Sequence, residues 1–199
     1  NELPDEIVHR KKSPYPKTHH PEYARMMKED YIRMVLDESC PIHQILRKEK
    51  LEELIVAGKS FEEICAYIPE YQKKTGLLFM LESLNNFAAN GRVSPAVAKI
   101  AGVLGIRIVG KASDEGTLEP TDKCRGEAKS FSTIVKRLKE SGLKTGKVLL
   151  AHCQNESGAK ALAKMIREAL PEVAVKIGIN LGLCSYYAEK GGILVGYEM

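Results

Sequence analysis

From Pro41 onward, apolar and polar positions recur with periods that assign most of the chain to helices and strands. In PIHQILRKEKLEELIVAG, Ile42, Ile45, Leu46, Leu51, Leu54 and Ile55 recur at near-helical spacing, and Gly58 stands where a C-terminal cap belongs. SFEEICAYIPEYQKKT opens with Ser60 and has Glu63 three residues later, the capping-box start of a second helix. GLLFML reads as a buried strand and SLNNFAA as a helical turn ended by Asn90-Gly91. SPAVAKIAGVLG reads as a small-residue helix, with Ser94 as N-cap and Pro95 in its first turn. IRIVGKAS and GTLEPTDKC flank Asp114-Glu115-Gly116 and predict a β-hairpin. EAKSFSTIVKRLKESGL is amphipathic, with Phe131, Ile134, Val135 and Leu138 on one face. KVLLAHC then reads as a strand, SGAKALAKMIREALP as a helix, VAVKIGINLG as a strand and GGILVGYEM as a last short strand. From residue 77 the order is β-α-β-β-α-β-α-β and a final strand, a complete domain of the α/β or α+β class.

The first thirty residues follow no such rhythm. NELPDEIVHRKK predicts a short helix with Pro4 near its first turn, whereas SPYPKTHHP packs three prolines into nine residues and is extended or irregular. EYARMMKEDY resumes a helical pattern and IRMVLDES is a short β-rich run. These pieces are too short and abrupt to make a domain by themselves.

Composition narrows the function classes. Of 199 residues 44% are apolar, as in ordinary globular proteins, and 30 basic against 26 acidic side chains leave +4 without long basic blocks. The charges are interspersed and aromatics are scarce, with no Trp, which argues against the clustered positive face and stacking aromatics that nucleic acids require. No apolar run reaches the roughly 18–20 residues of a membrane span, and no charged-then-apolar leader opens the chain. The five cysteines are widely spaced and form no C-x-x-C pair, so they read as reduced thiols. A soluble, cytoplasmic protein without metal or cofactor is expected. His19 and His20 are adjacent and point different ways, which argues against a shared metal.

One residue resists this bland picture. Arg92 sits on a glycine hinge, ANGRVSP, between two apolar segments. An arginine costs several kcal/mol to bury unless it finds an anion, so it either faces water or meets something negative.

LEELIVAGKSFEEI, LLFMLESLNNFAANGRVSPAVAKIAGVLGIRIV, TLEPTDKCRGEAKSF, VLLAHCQNESGAKALAKMI and IGINLG, in that order, resemble the DegV family from about Asp37 to Met199. The resemblance implies a bacterial, cytoplasmic fatty-acid-binding protein of the EDD fold, of α/β class with two domains. Residues 1–76 would be an N-terminal parallel-sheet, Rossmann-like domain, incomplete here. Residues 77–199 would be a C-terminal α/β domain with a mixed sheet, and a lipid would lie between the two. Several family members are the lipid-carrying subunit of a fatty acid kinase. The partners implied are therefore a long-chain fatty acid, in an apolar tunnel, and the ATP-binding subunit of that kinase; a monomer is expected, with a dimer as the alternative. NELPDEI, KTHHPEYARMM and IRMVLDES are similar to separated fragments of the family's N-terminal region. The family's opening strand, its linking helix and strand and its Ser-Gly-Thr loop have no counterpart, so pieces are read as missing near Lys12/Ser13 and Asp30/Tyr31.

Carried over residue by residue, Thr18 matches the threonine whose hydroxyl donates to the acyl carboxylate, although His19 replaces the serine that follows it. Arg92 matches the arginine near the lipid head group, with Asn90 in place of a glycine. Lys123 and Arg125, in KCRGEAKSF, match a Lys-x-Arg-Gly used for docking on the kinase or for steadying phosphate. Strand alternation points the two to one side, and a solvated edge pair is the competing reading. LGLCSYYAEKGG departs from the family's Gly-Thr-His-Thr-Gly-Pro-Gly run: Cys184 stands in the histidine's place, and a thiol is a weak donor. Either Ser185 or Tyr186 replaces the donor, or the ligand is not a simple fatty acid. Phe79, Leu81, Phe87, Ile100, Leu104, Ile106 and Ile108 lie in segments that flank the family's lipid tail, and in sequence a core residue and a pocket residue look the same.

No catalytic residue is expected, because the chain has no P-loop, nucleophile elbow or metal cluster. Two rivals stand beside a lipid carrier. One is a thiol enzyme using Cys184 or Cys153, the latter beside His152; neighbours on a strand face opposite ways, which arranges that pair poorly. The other is a protein-interaction module in which lipid only sets the shape.

Overall fold

The computed structural model describes residues 41–91, 93, 99, 105–112, 118–180 and 182–199, with side chains from residue 45 onward. The elements read within residues 1–37, the helix read in SPAVAKIAGVLG and the Asp114-Glu115-Gly116 turn lie outside them, as do Thr18, Arg92, Ile100 and Leu104.

Helix α1 (Pro41–Val56) ends as its pattern predicts. Gly58 has φ +72°, its N–H donates to the Ile55 carbonyl at 3.0 Å, and the Lys59 N–H reaches the Leu54 carbonyl at 3.1 Å. That pair of bonds is a Schellman motif, and the left-handed residue in it carries no Cβ penalty when it is glycine. Helix α2 (Phe61–Gln72) opens with the expected capping box. The Glu63 N–H donates to Ser60 Oγ at 3.2 Å, and the Ser60 N–H donates to the Glu63 carboxylate at 2.8 Å.

After α2 come β1 (Thr75–Leu81), α3 (Asn85–Ala89), β2 (Ile106–Ala112), β3 (Leu118–Arg125), α4 (Glu127–Glu140), β4 (Gly146–His152), α5 (Glu156–Ala169), β5 (Val173–Ile179), α6 (Gly182–Ala188) and β6 (Ile193–Glu198). The six strands form one mixed sheet in the order β3-β2-β1-β6-β4-β5. All neighbours are antiparallel except β4 and β5, which are parallel and joined by α5, as a crossover connection requires. The α/β class and the mixed sheet expected of residues 77–199 are therefore what the chain adopts. α1 also packs on this sheet, against β1 and β6.

Because side chains alternate along a strand, the sheet has two apolar faces. Leu78, Met80, Val109, Val148, Leu150, Ile193 and Val195 lie under α4 and α5, packed with Phe131, Ile134, Leu138, Leu162 and Ile166. On the other face Leu77, Phe79, Leu81, Ile108, Leu149, Ala151 and Leu194 meet Leu46 of α1, Phe87 of α3 and Ala188 of α6. Gly110 sits at a bulge in β2 on this second face. A Cβ there would come within 2.3 Å of the Phe79 ring, so the absence of a side chain is what lets Phe79 fill the site.

The sequence pattern predicts no helix at α6 and carries the strand VAVKIGINLG to Gly182, where β5 stops at Ile179. GLCSYYA is rich in weak helix formers, and this helix is held by contacts to α3 described below.

At the opposite end of the sheet from α3, a charged latch ties α1 and α2 down. Lys147 Nζ lies 2.6 Å from Glu53 Oε1, 3.5 Å from Glu49 Oε2 and 3.9 Å from Glu198 Oε1, and Lys176 lies 2.9 Å from Glu49 Oε1. The Tyr71 hydroxyl donates to the Glu198 carboxylate, with the Leu46 carbonyl 3.3 Å away. Burial first, and the adjoining Glu198 carboxylate second, push the Tyr71 phenol up, so it stays protonated. The hydrogen bond from Lys147, then that from Lys50, hold the Glu53 carboxyl down at about 2. Hydrogen bonding from Lys176 likewise lowers Glu49.

A carboxylate whose folded value is depressed stabilises the fold above its ordinary value of 4.5, and that stabilisation is lost as pH falls toward about 2. Thermal melts are expected to show the midpoint falling over this window. Lys147→Met should lower the midpoint at pH 7 by about 2–4 °C, the equivalent of roughly 1 kcal/mol for a half-exposed ion-pair network. It should also flatten the acid slope; an unchanged slope would show that the latch carries none of the acid sensitivity.

Candidate functional site

Strands β1 and β4 both run antiparallel to β6, and β5 runs parallel to β4, so the carboxyl ends of β1, β4 and β5 lie at one end of the sheet. β3 ends there too, since β2 is antiparallel to both β1 and β3. α3 follows β1, Cys153 follows β4 and α6 follows β5 at this end. The carboxyl ends of strands are where sheets of this class gather ligands.

α3 and α6 are fastened to each other by polar groups. The Asn86 N–H, an unpaired donor of the short α3, donates to the Glu189 carboxylate at 2.9 Å, a favourable place for negative charge. Asn86 Nδ2 donates to the Tyr186 carbonyl at 2.7 Å, and Asn90 Nδ2 donates to the Tyr186 hydroxyl at 3.0 Å. Beneath them Phe87 and Tyr187 rings lie 4.7 Å apart, and Tyr186 meets Tyr187 edge-on at 5.2 Å. Glu189 takes φ +50°, a costly conformation for a residue with a Cβ, held here by the bond to Asn86. Gly91 turns the chain away from α3 at φ +67°, as its place in ANGRVSP predicts.

The expected site residues fall into three groups. Phe79, Leu81 and Ile108 are each 1% exposed and Phe87 7%, and Ile106 packs against them on the second face of the sheet. Cys184 is partly buried against the same apolar cluster. Ser185 Oγ donates to the Asn180 carbonyl at 2.6 Å, and the Ser185 carbonyl lies 3.8 Å from Cys153 Sγ. Lys123 and Arg125 are exposed and pair across β2 with Ile108 and Ile106. Paired residues share a side of the sheet, so this basic pair borders the same face as the apolar group. Neither has a charged partner among the described residues.

The cysteine and histidine that a thiol enzyme would join are separated. His152 pairs with Ile193 on the face under α4 and α5, and its Nδ1 accepts from the Asn155 N–H at 3.3 Å. Cys153 packs against the opposite face. Among the described residues no group of three or more His, Cys, Asp or Glu is placed to hold a metal, and no helix is long and apolar enough to cross a membrane.

Sequence reasoning missed Asn86 and Glu189 and gave Asn90 no role. The spacing of the two asparagines, one helical turn apart and facing the same way, was the available signal; the remote Glu189 had none.

Comparison with known proteins bears on the family and the fold. Residues 20–196 match the family model described as "Uncharacterised protein, DegV family". A DegV domain-containing protein of Streptococcus pyogenes serotype M1 is 44% identical over 150 residues, 75% of this chain and 54% of that protein. The chain thus spans about half the length of the curated relatives it matches. A crystal structure of a DegV family protein from Eubacterium eligens, loaded with heptadecanoic acid, is 44% identical with a TM-score of 0.75, over 77% of this chain and 56% of that one. The Streptococcus pneumoniae Fatty Acid Kinase (Fak) B3 protein, loaded with linoleic acid, is 45% identical with a TM-score of 0.74, over 77% of this chain and 54% of that one. With the mixed sheet, its two apolar faces and the matched span taken together, the chain belongs to the DegV family.

Proposed function

We propose that the protein binds a long-chain fatty acid and presents its carboxylate to a partner fatty acid kinase, carrying the acid without transforming it. The observation that carries this reading is that two solved relatives at 44% and 45% identity hold heptadecanoic and linoleic acid. The second of them is a fatty acid kinase component.

The second face of the sheet forms one wall of the tunnel for the tail. Among the described residues its helical cover is α1, of 16 residues, and the short α3 and α6, of 5 and 7, against two helices of 14 residues, α4 and α5, on the other side. A tail sliding under α3 and α6 meets Phe79, Leu81, Phe87, Ile106 and Ile108. Each buried CH₂ stabilises by about 0.8 kcal/mol, so a chain of about sixteen carbons gains on the order of 12 kcal/mol before the losses of association. That gain holds only if the carboxylate keeps its hydrogen bonds. The head group is assigned to the end of the sheet where α3 and α6 meet, beside the α6 segment carrying Cys184 and Ser185; Thr18 and Arg92, which lie outside the described residues, stay assigned to the carboxylate by the family resemblance alone. Lys123 and Arg125 form the docking edge for the kinase or for the phosphate it transfers, since two cations without charged partners among the described residues, beside an apolar face, suit an anion.

Native mass spectrometry of protein purified from cells is expected to show the mass of a long-chain fatty acid on most molecules. A chain that arrives empty, and takes up none when offered several lengths, contradicts the proposal. Arg125→Glu should leave fatty-acid uptake within about twofold and lower phosphorylation of the bound acid by a fatty acid kinase subunit roughly tenfold, the loss of one charge-assisted contact. Equal phosphorylation would remove β3 from the docking surface.

A further inference from the structure

We propose that the Tyr186 hydroxyl, oriented by Asn90, is the hydrogen-bond donor that takes the ligand's carboxylate where Cys184 offers only a thiol; this rests on the fatty-acid reading above. Three α6 side chains compete for that role, and hydrogen-bond polarity separates them. The Asn180 carbonyl 2.6 Å from Ser185 Oγ only accepts, so the single proton of Ser185 is committed to it. Cys184 has a weakly donating thiol, packed against the apolar cluster.

Tyr186 is the reverse case. Asn90 Nδ2 lies 2.8 Å from the Asn86 carbonyl, which only accepts, and this fixes which end of the Asn90 amide is the nitrogen. The same NH₂ lies 3.0 Å from the Tyr186 hydroxyl oxygen. The hydroxyl therefore accepts from Asn90, and its own proton points elsewhere; among the described residues no acceptor takes it. The phenol is also held in place: its backbone carbonyl accepts from Asn86 Nδ2 at 2.7 Å, and its ring lies edge-on against Tyr187 at 5.2 Å. At 46% exposure the residue is open to a ligand. A positioned O–H with its lone pair already engaged is what an anionic acceptor needs, and a hydrogen bond accepted from a neighbour strengthens the one donated.

The test is titration of the whole protein with oleate and with oleyl alcohol, which share a tail and differ in the charged acceptor. Tyr186→Phe is expected to weaken oleate roughly 10- to 100-fold, the range for a hydrogen bond to a charged group, and to leave oleyl alcohol within about threefold. Asn90→Ala should weaken oleate in the same sense by a smaller factor, while Tyr67→Phe, an exposed tyrosine on α2, should change neither. Oleate bound as tightly by Tyr186→Phe as by wild type, or weakened less than by Ser185→Ala, overturns the inference. Equal loss of oleate and oleyl alcohol does so too, because it marks a structural role. Wild-type protein that binds neither probe overturns the fatty-acid reading itself, and this inference with it.

Discussion

Side-chain alternation along β1 is the constraint on which the rest depends. Leu78 and Met80 point to one side and Leu77, Phe79 and Leu81 to the other, so this central strand needs an apolar partner on both faces. One requirement is met by α4 and α5, two long amphipathic helices that close a conventional core. The other falls to α1 and two very short helices. That difference in cover, set by the sequence around residues 85–89 and 182–188, distinguishes the two faces among the described residues, and the proposed acyl tail is assigned to the second.

The same strand order that makes two faces also gathers chemistry at one end. With β1, β3, β4 and β5 all running toward that end, the α3 turn, the basic end of β3, Cys153 and α6 lie along the same end of the sheet. Apolar area would favour any greasy ligand equally. The polar fastening of Asn86, Asn90, Tyr186 and Glu189 is what gives this end a direction, because it fixes where donors point. At the far end, the Lys147 network with Glu49, Glu53 and Glu198 fastens α1 and α2. The charged latch and the polar fastening thus sit at opposite ends of the strands.

What the sequence disclosed follows the range of the interactions involved. The Ser60–Glu63 box, the Gly58 cap, the amphipathic α4 and the β2–β3 hairpin are local patterns, and each appears where residue spacing placed it. The α6 helix was illegible because its residues favour helix weakly and its stability comes from Asn86 and Asn90, about a hundred residues away in the chain. That Phe79, Leu81, Phe87, Ile106 and Ile108 are apolar is plain in the sequence. Their sorting between faces required the register, since Phe79 and Met80 differ only in which way the pleat turns them. Ser185 and Tyr186 were indistinguishable as donors in sequence; the carbonyl of Asn180 separates them.

The central claim is that the tail lies against the face carrying Phe79, Leu81, Ile108 and Leu194, and not in the core under α4 and α5. Isotope-filtered NOE spectroscopy of methyl-labelled protein with bound unlabelled fatty acid tests it directly. Cross-peaks from the acyl chain to the methyls of Leu81, Ile108 and Leu194, with none to Ile134, Leu138 or Val148, are the result this account predicts; cross-peaks to the second set without the first would contradict it.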